Sequence, residues 1–179
     1  MNNSWQIIVI SAFVAAFAIT GLSRMALRLG LIDQPGGRKK HDSPVPVVGG
    51  IAIYGVLLLG FVITTVSYQI SLVVICGVLV LLLGVLDDLF SLGVPIKLVV
   101  QTFAAGLVVV ATDIWVVSLG LDIFYLDEVA FWFGIPFTIF AIVGVTNSFN
   151  MIDGIDGLAA GQALVSIASI GLSQYFLYG

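Results

Sequence analysis

Residues 71–86 read SLVVICGVLVLLLGVL, sixteen positions without a charge, and the next two, Asp87 and Asp88, are both carboxylates. The run is close to the roughly 18–20 residues that cross a hydrocarbon core as a helix. Its second half, LVLLLGVL, does not alternate, as a strand of a membrane β-barrel would. In lipid each backbone polar group needs a partner within its own segment, so the run is expected to be helical.

Outward from this run lie five more of the same kind: Trp5–Leu22, Val47–Val66, Leu98–Val117, Val129–Val145 and Leu158–Leu177. The whole chain has 179 residues, 60% hydrophobic and 9% charged, with a formal net charge of −4. Its mean hydropathy is +1.21. A soluble domain carries about 25% charged and about 45–50% apolar residues. A soluble enzyme, a nucleic-acid binder and a disordered chain are thereby excluded, and six basic residues leave no electrostatic footprint for nucleic acid. No repeat or long linker interrupts the pattern. The expected fold class is an all-α polytopic membrane protein with about six transmembrane helices, forming a single helical domain over residues 1–179. Arg24 and Arg28 follow the first apolar run and no basic residue precedes it, the order of a retained span rather than a cleaved leader. The single cysteine, Cys76, cannot form an intrachain disulfide or a thiolate metal site and reads as a small lipid-buried residue.

The basic residues orient the chain. Arg24, Arg28, Arg38, Lys39 and Lys40 lie between the first and second runs, and Lys97 lies between the third and fourth. The positive-inside rule makes both connectors cytoplasmic. Alternation then puts the amino terminus outside and the connector from Thr146 to Gly157 inside. Residues 118–128, with Asp122, Asp127, Glu128 and no basic residue, face out.

Three polar motifs thus gather on one membrane face. They hold the only histidine, His41, and six of the ten acidic residues: Asp33, Asp42, Asp87, Asp88, Asp153 and Asp156. Adjacent carboxylates such as Asp87 and Asp88 repel, so either one takes up a proton or a cation sits between them. Mg²⁺, which takes one or two carboxylates together with phosphate oxygens and water, resolves the conflict; the plain alternative is a solvated helix end. In the third motif Asn147, Asn150, Asp153 and Asp156 recur at a spacing of three, with Gly154 and Gly157 among them. A broken turn that aims several oxygen ligands into one cavity fits this spacing, tolerated at membrane depth where backbone lines a polar cavity. An ordinary Asn/Asp/Gly turn is the alternative. In the first motif Arg38, Lys39, Lys40 and His41 precede Pro44, Pro46 and the Gly49–Gly50 pair. Prolines hold the chain extended and the glycines permit close approach to a ligand, although such a cluster also serves as a topology signal beside anionic lipid. Carboxylates for Mg²⁺ with cations for phosphate suit phosphoryl chemistry, in which catalysis is mainly positioning and charge neutralisation. The membrane setting points to a lipid as one substrate.

These motifs resemble those of the polyprenyl-phosphate N-acetylhexosamine-1-phosphate transferases, over essentially the whole chain. The resemblance rests on Arg38-Lys39-x-His41-x-x-Pro44-x-Pro46-x-x-Gly49-Gly50, on Asp87-Asp88 with Lys97 downstream, and on Asn147 followed by Asp153-Gly154-x-Asp156-Gly157. The first motif looks most like the branch that uses UDP-N-acetylglucosamine. The resemblance implies transfer of N-acetylhexosamine-1-phosphate from a UDP-sugar to undecaprenyl phosphate with release of UMP, a first membrane step of cell-envelope polysaccharide synthesis. It implies Mg²⁺ as cofactor, with Mn²⁺ as a substitute. Asp87, Asp88 and Asp156 are then catalytic carboxylates. Asp153 and Asp87 hold the metal, and Asn147, Asn150, Lys97, Arg38, Lys39 and His41 bind substrate. The implied location is the bacterial inner membrane, multi-pass, with the active face cytoplasmic.

Members of that family are about twice this length, with ten or eleven spans, a further aspartate motif and a histidine-rich loop. The chain is therefore expected to be the amino-terminal half of a longer fold, with a carboxy-terminal half or a second copy as protein partner. Two other readings stand beside the transferase. One is an incomplete half that binds lipid phosphate or a partner chain; the other is a small cation transporter, whose carboxylates would lie near the bilayer midplane.

Overall fold

The computed structural model describes residues 4–33, 45–64, 66–117, 130–152 and 157–178. Helix α1 spans Ser4–Leu29, α2 Gly49–Ile63, α3 Tyr68–Phe90, α4 Val94–Thr112, α5 Ile135–Ile152 and α6 Leu158–Tyr178. A two-residue ribbon, β1 (Ile32–Asp33) against β2 (Val45–Pro46), lies between α1 and α2, and a π-helical turn, Ala130–Gly134, leads into α5. Each apolar run of the sequence falls mainly in one helix, and the all-α membrane-type fold is borne out. Among the described residues, four segments are long and apolar enough to cross a membrane: Gln6–Ala26, Tyr68–Phe90, Val94–Thr112 and Trp132–Ile152. Helix α2 has 15 residues, about 22 Å at about 1.5 Å per residue. Helix α6 has the length, but Gln162, Ser166, Ser169, Ser173 and Gln174 dilute its apolarity. Large apolar side chains point outward, with Phe17 83% exposed and Val110 79%, as expected of surfaces that meet lipid rather than water.

The helices are self-sufficient in the way lipid demands. Thr20, Thr146, Ser148 and Ser169 each donate their hydroxyl to the carbonyl four residues back, at 2.8 Å. A polar side chain bonded within its own helix needs no partner from lipid.

The chain packs as two compact units, Met1–Ile114 and Trp115–Gly179. In the first, α1 ends in a Schellman turn: Gly30 takes φ +72°, and the Leu31 N–H reaches back to the Ala26 carbonyl at 3.1 Å. Only a residue without Cβ enters this left-handed conformation cheaply. The turn buries Leu31 and Ala26 with Val48, and Leu22, Ile32, Val47, Ile51 and Val85 pack around them. The ribbon pairs Ile32 with Pro46 and Asp33 with Val45, antiparallel. Pro46 lacks an N–H and holds its neighbours extended, which suits so short a ladder.

Helices α3 and α4 form the most extensive helix pair. Ser67 caps α3, accepting the Ile70 N–H at 3.4 Å. The helix stops at Ser91, which adopts a left-handed conformation (φ 51°, ψ 63°). Two residues later α4 begins, with Pro95 in its first turn where a missing N–H does no harm. Gln101, Ala104, Ala105, Val109 and Thr112 form the buried stripe of α4. Its alanines let a neighbouring helix approach closely.

In the second unit, Pro136 is the second residue of α5, one residue past the π turn. Its ring cannot accept a regular i−4 neighbour, so the wider turn relieves the clash. Thr138 clamps the junction: its hydroxyl donates to the Gly134 carbonyl at 2.6 Å and accepts the Val116 N–H at 2.8 Å.

Candidate active site

Asp87 and Asp88 lie in the last turn of α3, within the helix rather than beyond it. The Ser91 N–H donates to the Asp87 backbone carbonyl at 2.7 Å, closing that turn. The Asp87 side chain then reaches over the connector. Its Oδ1 accepts the Leu92 N–H at 2.9 Å, and its Oδ2 accepts Lys97 Nζ at 2.7 Å. One carboxylate therefore fixes the connector and joins α3 to the first turn of α4.

The charges stand where helix physics disfavours them. A helix carries partial negative charge at its carboxy end and partial positive charge at its amino end, each worth about 0.3–1 kcal/mol to a charge of suitable sign. Asp87 and Asp88 occupy the wrong end of α3, and Lys97 the wrong end of α4. The 2.7 Å ion pair, only about a quarter exposed on either side, offsets part of that penalty. Charges that break a local rule in this way are what functional or strained sites carry.

Around the pair is an open pocket of about 280 Å³. Asp87, Asp88, Ser91, Leu92 and Lys97 line it from the α3–α4 hairpin, and Ile32 of the ribbon and Val47 just after it complete the lining. Among the described residues the lining holds two carboxylates, Asp87 and Asp88, and one ammonium, Lys97. Beyond Asp88 and Val47, which line both, a second and more apolar cavity of about 430 Å³ runs between α2 and α3.

The structure thus brings together Asp87, Asp88 and Lys97. Asn147 and Asn150 lie in the last turns of α5, which continues regularly to Ile152. The Asn147 amide donates to the Val143 carbonyl at 2.8 Å, so these two residues are helical and not part of a broken turn. The turn expected from the spacing fails there because the glycines that would break the helix come only at 154 and 157. Arg38, Lys39, His41, Asp153 and Asp156 lie outside the described residues. Sequence reading missed Ser91, Leu92, Ile32 and Val47 as pocket residues. A signal for the connector was present: an acid at a helix end followed ten residues later by a lysine, across a turn short enough to bring them together.

A sequence model of glycosyl transferase family 4 matches residues 70–178, which include all but the first two residues of the α3–α4 hairpin and the third polar motif. The chain belongs to glycosyl transferase family 4. Curated relatives agree with that family. The chain is 34% identical over 176 residues to the undecaprenyl-phosphate alpha-N-acetylglucosaminyl 1-phosphate transferase of Yersinia pestis, covering 98% of this chain and 48% of that protein. To the protein of the same name in Escherichia coli (strain K12) it is 36% identical over 156 residues, covering 86% and 42%. To that of Salmonella typhimurium it is 35% identical over 171 residues, covering 93% and 46%. This family-4 chain spans less than half the length of the curated relatives it matches. No solved structure matches it.

Proposed function

We propose that this chain carries the lipid-phosphate and carboxylate portion of an enzyme that transfers N-acetylhexosamine-1-phosphate from a UDP-sugar to undecaprenyl phosphate. The observation that carries this reading is the pocket in which Lys97 pairs with Asp87 beside Asp88, in a family-4 chain whose relatives are named for that transfer.

In the net reaction an oxygen of the lipid phosphate forms a bond to the sugar-bearing phosphorus of the donor. The diphosphate bond of the donor breaks, and UMP leaves with the bonding pair. Little covalent work falls to the protein, and most of its contribution is placing and neutralising phosphate. Neighbouring carboxylates, a lipid phosphate and a diphosphate carry charge of one sign and repel one another. Two neighbouring carboxylates fit a hard cation that takes one or two carboxylates, phosphate oxygens and water. Among the described residues no group of three or more His, Cys, Asp or Glu is gathered. Mg²⁺, or Mn²⁺ in its place, supplies neutralisation of the diphosphate charge when bound.

Asp87 and Asp88 are the residues on the α3–α4 hairpin that would hold it, with Asp153 as a further ligand and Asp156 as a catalytic carboxylate from the third motif. Lys97, held by Asp87, presents one cation to phosphate oxygen. Asn147 and Asn150, with Arg38, Lys39 and His41 of the first motif, bind the donor in this reading. The active face is cytoplasmic, in the bacterial inner membrane, and the product feeds cell-envelope polysaccharide synthesis. The test is an assay of the protein at the length its gene encodes, in membranes supplied with labelled UDP-N-acetylglucosamine and undecaprenyl phosphate. Formation of labelled lipid and UMP, dependent on Mg²⁺, is expected; a lack of both with correctly inserted protein overturns the reading.

A further inference from the structure

We propose that Ser91, held in a strained conformation by Asp87, is a phosphate-binding residue of the charged pocket, its hydroxyl donating to a phosphate oxygen of a bound substrate. This rests on the transferase reading above and adds to it a neutral contact beside the carboxylates and Lys97.

Ser91 ends α3 with φ 51° and ψ 63°, in the left-handed region that a residue with a Cβ enters only at a cost. At the end of α1 the same conformation falls to a glycine, Gly30. Asp113 shares it at the end of α4, so strain alone does not single Ser91 out. Its place does: of these three residues only Ser91 lines the charged pocket, together with Asp87, Asp88 and Lys97. One residue fixes the conformation from both sides. The Ser91 N–H donates to the Asp87 backbone carbonyl at 2.7 Å, and the Leu92 N–H, of the next peptide unit, donates to Asp87 Oδ1 at 2.9 Å. Strained residues persist where their surroundings over-determine them, and such residues cluster at ligand sites. The hydroxyls of Thr20, Thr146, Ser148 and Ser169 each close on their own helix. That of Ser91 does not: among the described residues none shares a hydrogen bond with it, and the residue is exposed. A hydroxyl both donates and accepts and carries no charge. It adds a donor for phosphate oxygen to a lining whose charged donor, Lys97, is already shared with Asp87.

The test compares Ser91→Ala, Ser91→Gly and Ser91→Asn with wild type, at the length the gene encodes, in detergent micelles. Titration calorimetry gives the Kd for geranylgeranyl monophosphate, for geranylgeraniol as the control without phosphate, and for UMP; the thermal midpoint of each protein is recorded beside it. Ser91→Ala keeps the strain and removes the hydroxyl, and should weaken one of the two phosphate ligands about tenfold while leaving geranylgeraniol unchanged. Weakening of the prenyl phosphate assigns Ser91 to the acceptor, and weakening of UMP assigns it to the donor. Ser91→Gly should weaken the same ligand as much while raising the thermal midpoint, because glycine enters the left-handed region freely. A serine that only ends the helix would give the raised midpoint with unchanged affinity. Ser91→Asn, which tolerates the conformation and keeps a donor, should recover much of the affinity. Wild-type affinity for both phosphates in Ser91→Ala and Ser91→Gly, equal weakening of geranylgeraniol, or a wild type that binds neither phosphate overturns the proposal. Transfer from UDP-N-acetylglucosamine is measured on the same proteins. Transfer by wild type with affinities unchanged in the variants removes Ser91 and leaves the transferase reading; weakened phosphate binding in a protein without transfer does the reverse.

Discussion

Lys97 Nζ lies 2.7 Å from Asp87 Oδ2, across a connector so short that one carboxylate holds both the lysine of α4 and the Leu92 N–H of the turn. Structure and chemistry converge on that pair. The ion pair that orients the only described cation of the pocket also closes the hairpin.

Lys97→Met should therefore act twice. Removing the ammonium leaves a part-buried carboxylate without its charged donor, at a cost of about 1–3 kcal/mol, visible as a lower thermal midpoint in detergent. Transferase activity should fall by more than that loss of stability explains, with KM for undecaprenyl phosphate raised. Lys97→Arg, which keeps the charge, should recover much of the midpoint. An unchanged midpoint in Lys97→Met would mean that the pair contributes nothing to the hairpin.

The two aspartates should separate. Asp87→Asn keeps an acceptor for the Leu92 N–H but loses the ion pair, so its thermal midpoint falls. Asp88 is exposed, and Asp88→Asn should lower the midpoint less than Asp87→Asn does. In activity assays Asp88→Asn should instead raise the Mg²⁺ concentration for half-maximal rate by about tenfold or more, the scale seen when a metal's supporting groups are altered. A Mg²⁺ titration curve identical to wild type would remove Asp88 from the metal site.

Gly134 is set against backbone. A Cβ there would stand 2.5 Å from the Val116 carbonyl and 2.9 Å from Trp115 Cδ1. Gly134→Ala should destabilise the second unit by about 1–3 kcal/mol, the usual cost of overpacking. Gly144→Ala, in the same unit with nothing within 4 Å of its Cβ, should be neutral or stabilising by up to about 1 kcal/mol. Limited proteolysis of the two variants in detergent ranks them; equal protection would contradict the close approach at Gly134.

Asp113 ends α4 in a left-handed conformation, φ 58° and ψ 30°. Glycine enters that region without the Cβ penalty, so Asp113→Gly should raise the thermal midpoint by the equivalent of about 0.5–1 kcal/mol. A lowered midpoint would show that the aspartate side chain contributes more than its backbone strain costs.

The helices were legible because lipid imposes one demand, unbroken apolar length, and four of the described segments meet it in full. The ends were less so. The third run seemed to finish at Leu86 because its charges begin there, yet α3 runs on to Phe90 until Ser91 turns left-handed. Hydrogen bonding along the backbone, not hydropathy, decides where a helix stops. Asn147 and Asn150 were misplaced for the same reason: a spacing of three looked like a turn, but nothing before residue 153 interrupts the helix. The cavity between α2 and α3 was invisible so long as each run was read only for its length. Its residues on α3, Gly77, Leu81, Gly84 and Asp88, recur at three or four positions, the signature of one helix face.

The packed cluster of Ala26, Leu31 and Val48 carries Ile32 and Val47 on the charged side and Ile51 and Val85 on the apolar side. Val48 is 1% exposed, so a change of its volume must be absorbed by both walls. The charged pocket and the apolar cavity therefore share a mechanical part. A lineage cannot reshape the cavity between α2 and α3 without also moving the wall that faces its carboxylates, and change at one end will carry compensating changes at the other.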